Sequence, residues 1–166
     1  MATATKTRLF STRVDIPEDK RDQVVEILNG RLAETFDLYT QVKQAHWNIK
    51  GKDFYQLHLL FDKIAADIEP FVDQIAERAT ALGGVALGTA RSAAKNSSLP
   101  EYDFNALTGE QHLRAVAERL SLYANSCRAA IDQTDGLGDA VTADLFTEAA
   151  ALADQDLYLI ESHLQA

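Results

Sequence analysis

The sequence predicts an all-α fold: a four-helix bundle made of two helical hairpins, with a long crossover containing a short helix between helices 2 and 3. Three observations predict it. Apolar residues recur at three- and four-residue spacing along four long segments, the period of a helix buried on one side. Only 3 prolines and 8 glycines occur in 166 residues, so the chain has few breaks. Short turns close the first and second segments and the third and fourth, whereas residues 83 to about 108 keep the two pairs apart.

The first helix is expected to begin near Pro17, a residue suited to the first turn, with Glu18 and Asp19 where the helix dipole favours acids. Val24, Leu28, Leu32, Phe36, Tyr39 and Val42 form its buried stripe, and His46 extends that stripe by a turn. Gly51 ends it. Asp53 and Gln56 read as a capping pair for the second helix, which carries Leu57, Phe61, Ile64, Ile68, Val72 and Ile75 and stops at Gly83-Gly84. The stretch "TARSAAKNS" fits a short helix inside the crossover. Thr108 with Gln111 is a capping box for the third helix, "TDGLGD" is a turn, and the fourth helix spans about Asp139 to Leu164. One hairpin, a long crossover and a second hairpin is the ferritin-like order of a four-helix bundle. Residues 1–15 are expected to form a flexible tail and residues 16–166 one domain.

Composition narrows the function. No run of 18 apolar residues occurs, and "MATATKTRLFSTRVD" has no apolar stretch of the secretory kind. Cys127 is the one cysteine, which excludes an intrachain disulfide and fits a cytoplasmic protein. A net charge of −9 disfavours nucleic-acid binding and suits attraction of cations. The basic cluster Lys6, Arg8 and Arg13 is the candidate DNA contact; DNA bound there would imply association with the nucleoid.

Metal chemistry is suggested by the second helix. The Glu-x-x-His motif of many in-bundle di-iron sites is absent. Instead His58, Asp62, Asp73 and Glu77 fall in one sector of the helix, as two pairs roughly 20 Å apart along its axis. A single straight helix cannot join them, but two antiparallel copies can. A twofold axis near residues 67 and 68 sets His58 against Glu77 of the partner subunit and Asp62 against Asp73 of the partner subunit. With His46 from across the turn, the donor set suits Fe(II), and also Zn(II) or Mn(II). Pro70 opposes this placement, because a mid-helix proline clashes with the carbonyl of residue 66 and bends the helix. His112 and His163 read as surface or interface residues.

"KQAHWNIKG", then His58 and Asp62, then "DQIAERATALGG" resembles the signature of the Dps family, mini-ferritins that protect DNA during starvation. The resemblance extends over essentially the whole chain, including "GDAVTADLF" at the start of the last helix. It implies a hollow dodecamer with a dinuclear iron site between twofold-related subunits, oxidising Fe(II) with hydrogen peroxide or oxygen and storing Fe(III) mineral. By position, the family's ligands fall on His46, His58, Asp62, Asp73 and Glu77. Trp47 matches a tryptophan beside the family's site, able to supply an electron or simply to pack at the interface. Acids lining the family's threefold pores correspond to Asp139, Asp144 and Glu148, residues that could equally cap the last helix. Tight DNA binders in the family carry a longer, lysine-rich tail, and "ESHLQA" adds no basic residue here. A DNA-compacting shell with little oxidase activity is the rival expectation.

Overall fold

The computed structural model describes residues 9–165 and contains five helices and no strand among them. They are α1 (Glu18–Asn48), α2 (Phe54–Ala81), α3 (Ala90–Asn96), α4 (Gly109–Gly136) and α5 (Ala140–Glu161). The hairpins α1–α2 and α4–α5 pack through α1 against α4 and α2 against α5, while α3 lies on α1. This is the bundle the periodicity predicts. Its core has two parts: one around Val24, Leu28, Ile75, Leu82 and Phe146, the other around Val42, Ile49, Phe61, Leu113, Val116 and Leu120.

Local chemistry sets most helix ends. Thr108 accepts from the Gln111 amide at 3.3 Å and the Gln111 side chain returns a contact to the Thr108 amide, so the capping box forms. The Asp53–Gln56 pair behaves differently. Gln56 donates to the Asp53 carboxylate at 3.2 Å, but Asp53 caps no backbone amide. α4 continues through Gly136, so the predicted turn reduces to Leu137–Asp139, and α5 ends at Glu161 with irregular turns up to Leu164. α2 passes through Pro70 without losing its helical assignment.

Polar side chains hold the crossover and the N-terminal segment to α1. Arg21 donates to the carbonyls of Leu82 (2.7 Å) and Ile16 (3.1 Å), and the Phe10 amide donates to the Gly83 carbonyl at 2.7 Å. Gly83 has a φ of +87°, and a Cβ there would stand 2.3 Å from the Phe10 oxygen, so no other residue fits. Asn29 clamps the crossover through Val85 and Leu87. Further along, buried Arg119 bonds Gln41 (2.9 Å) and the Glu101 carbonyl (2.7 Å). Arg13 is exposed, whereas Lys6 and Arg8 lie outside the described residues.

Candidate metal centre

The turn between α1 and α2, with Gly51 at a φ of +108°, brings the end of one helix beside the start of the next. His46 stands in the last turn of α1, whose terminal carbonyls have no intrahelical partner. His58 Nδ1 supplies one, bonding the His46 carbonyl at 2.9 Å. His46 Nδ1 reciprocates at 2.8 Å to the His58 carbonyl. The two rings stack with centroids 3.8 Å apart.

This reciprocal pairing determines the tautomers. A carbonyl oxygen only accepts, so each Nδ1 carries the proton and each neutral ring keeps its lone pair on Nε2. Backbone-anchored histidines with free Nε2 atoms are what a metal-binding imidazole requires. Asp62, one helical turn beyond His58, places Oδ1 at 3.8 Å from His46 Nε2. One chain therefore places two imidazole nitrogens and a carboxylate at this turn, donor types that suit Fe(II), but these three alone do not close around a metal.

Lys43 is the residue sequence reasoning missed. Its ammonium donates to Asp62 Oδ1 at 2.7 Å and stands 5.9 Å from the Trp47 ring centroid. The Lys43 hydrogen bond holds the Asp62 carboxyl below its usual range against the opposing effect of desolvation; the Lys43 charge adds to the lowering, as would His46 and His58 when protonated. Nothing in the spacing of α2 points to Lys43, because it reaches in from α1. Trp47 is 62% exposed.

Asp73 and Glu77 are exposed further along α2, at 1.5 Å rise per residue about 20 Å from the His58/Asp62 pair. Among the described residues no single-chain group of three or more His, Cys, Asp or Glu side chains could hold a metal. Asp139 corrects the pore expectation. It is 1% exposed, accepts from the Thr142 amide at 3.0 Å and pairs with Arg78 at 2.7 Å, so its carboxylate serves as the α5 cap inside the chain. Asp144 and Glu148 are exposed. His112 is corrected too: it is fully buried, whereas His163 is exposed.

A family model described as Ferritin-like domain matches residues 25–166. The DNA protection during starvation protein of Agrobacterium fabrum is 40% identical over 158 residues, covering 95% of this chain and 98% of that protein. The chain belongs to the Dps family. Among solved Dps structures, DpsC from Streptomyces coelicolor superposes with a TM-score of 0.92 at 30% identity, covering 100% of this chain and 96% of that one. The Vibrio cholerae Dps protein, described as a member of a broad superfamily of ferritin-like diiron-carboxylate proteins, shares the fold with a TM-score of 0.87 at 21% identity, covering 99% and 100%. No helix among the described residues is long and apolar enough to cross a membrane.

Proposed function

We propose that this Dps protein oxidises Fe(II) at sites shared by twofold-related subunits and stores the Fe(III) inside a dodecameric shell. The observation that carries the reading is the His46–His58 clamp with Asp62 at one end of α2, while Asp73 and Glu77 stand at the other. Antiparallel α2 helices would bring His46, His58 and Asp62 of one subunit to Asp73 and Glu77 of the partner subunit. Iron is the substrate. The two Nε2 atoms would hold Fe(II), and the carboxylates favour the harder Fe(III) product, which aids the oxidation. Two Fe(II) give one electron each to hydrogen peroxide, which with two protons leaves as two waters. Oxygen is the slower alternative oxidant, and Zn(II) or Mn(II) would compete for the same donors. Trp47 would supply an electron when only one Fe(II) is present. Asp144 and Glu148 would line the entry pores.

The DNA-compacting alternative has less support. The net charge is −9, and the basic residues offered for it are the three of the N-terminal segment. A cytoplasmic site of action accompanies the proposal. The test is anaerobic Fe(II) titration followed by a limiting pulse of peroxide. Fast Fe(III) formation in the wild type, lost in the His46→Ala/His58→Ala variant with particle size unchanged, is expected. Equal slow oxidation in both would overturn the proposal.

A further inference from the structure

Behind the proposed metal centre lies a third histidine whose environment the iron chemistry above does not use. His112, on α4, is 0% exposed, and its Nδ1 is 2.6 Å from the hydroxyl of Tyr102, itself 3% exposed. The rings stack with centroids 6.0 Å apart. The backbone of Asn48 lies beside His112 and favours a proton on the ring, yet Nε2 has no partner within hydrogen-bond geometry. In the tautomer with the proton on Nε2, Nδ1 is the acceptor and the Tyr102 hydroxyl donates to it. Burial lowers the His112 pKa and raises that of Tyr102, so at rest the pair is a neutral phenol bonded to a neutral imidazole.

The pair sits one step from the proposed ligands on two helices. Asn48 follows His46 by two residues, and the His112 ring meets Phe61, next to Asp62, edge-on with centroids 6.4 Å apart. On the other side the Arg119 guanidinium stands 5.7 Å from the Tyr102 ring centroid. A cation there opposes a positive charge on the ring, so Tyr102 can lose an electron only together with its proton, and His112 Nδ1 is placed to take it. Tyr123, the other deeply buried tyrosine, meets the hydroxyl of Thr35 at 2.9 Å, which is no base.

We propose that Tyr102 and His112 form a proton-coupled electron donor for the oxidation of iron by peroxide. The inference rests on the iron-oxidising reading and deepens it. When one Fe(II) meets one hydrogen peroxide and Trp47 does not supply the second electron, iron gives one electron and Tyr102 gives the other. Tyr102 becomes a neutral phenoxyl radical, its proton moves to His112 Nδ1, and peroxide takes two electrons and two solvent protons to leave as two waters. The O–O bond thus breaks without releasing a hydroxyl radical. A later electron, from another Fe(II), and the proton held on His112 restore Tyr102.

The test uses the assembled shell in a Trp47→Phe background, loaded with less than one Fe(II) per site, mixed with excess peroxide and frozen for electron paramagnetic resonance. A tyrosyl signal is expected. Tyr102→Phe should abolish it and raise the hydroxyl-radical adduct seen by spin trapping, with iron oxidation at full loading unchanged. His112→Gln keeps Tyr102 but removes the base, and should likewise lose the signal. An undiminished signal in Tyr102→Phe would overturn the inference, as would no signal in Trp47→Phe despite rapid Fe(III) formation. No rapid Fe(III) formation at full loading would instead contradict the iron-oxidising reading on which the inference rests.

Discussion

Asp62 is held by a lysine before any metal reaches it. A metal must displace the Lys43 ammonium, bonded to Asp62 at 2.7 Å, and then bear its repulsion. Lys43→Met is therefore expected to bind Fe(II) several-fold more tightly at neutral pH in an anaerobic titration. At low pH the gain should shrink, because without the Lys43 hydrogen bond the Asp62 carboxyl returns toward its ordinary range and protonates sooner. Unchanged affinity would mean that the ammonium swings away at no cost. The thiol of Cys127 contrasts with this exposed chemistry: it is fully buried, and burial pushes its pKa up to about 12, so it stays protonated at neutral pH. Residue types and their spacing made His46 of α1 and His58, Asp62, Asp73 and Glu77 of α2 candidates already in the sequence. Lys43 and the Tyr102–His112 pair were not legible, because each contact joins elements whose relative placement no local period encodes.

The helices themselves were readable because their signals are local. Apolar residues at three and four, the Thr108–Gln111 box and Gly83-Gly84 each act within a turn or two. Where one residue type serves two purposes, reading fails. Asp139 could cap a helix or line a pore, and it caps, because Arg78 of α2 and the amide of Thr142 both reach it. Asp139→Ala would remove the cap and the ion pair of Arg78 in a largely buried place, leaving Arg78 only its hydrogen bond to Thr142, a loss of roughly 2–4 kcal/mol by chemical denaturation. Loss of stability below about 0.5 kcal/mol would mean that water replaces both contacts. Between α2 and α5, Asp156 is fully buried; its Oδ1 meets Lys63 at 2.9 Å and its Oδ2 has no partner, while Lys63 also pairs with Asp67. Burial raises the Asp156 pKa to about 6, despite the opposing hydrogen bond and charge of Lys63. The fold therefore favours the protonated form, a contribution complete below the ordinary aspartate value and lost as the pH rises through about 6. Asp156→Asn fixes an uncharged form, so its stability relative to wild type should rise by roughly 2 kcal/mol from about pH 4 to about pH 7. A pH-independent difference would show that Lys63 offsets the burial completely.

At the scale of the molecule, the bundle places one part of the proposed donor set at each end of α2. His46, His58 and Asp62 gather where α1 meets α2, and Asp73 and Glu77 stay exposed toward the other end. The fold follows from hydrophobic period and turn chemistry within one chain, whereas a shared site is legible only through register, which pairs residues by symmetry. The most direct measurement is complementation. Subunits carrying His46→Ala/His58→Ala are co-assembled with subunits carrying Asp73→Ala/Glu77→Ala, and peroxide-driven Fe(III) formation is followed. Each variant alone should be inactive. In a mixed pair, one site keeps the histidines of one subunit and the acids of the other, so random pairing should restore about a quarter of the wild-type rate. Assembled mixed shells with no recovered activity would contradict a site shared between subunits.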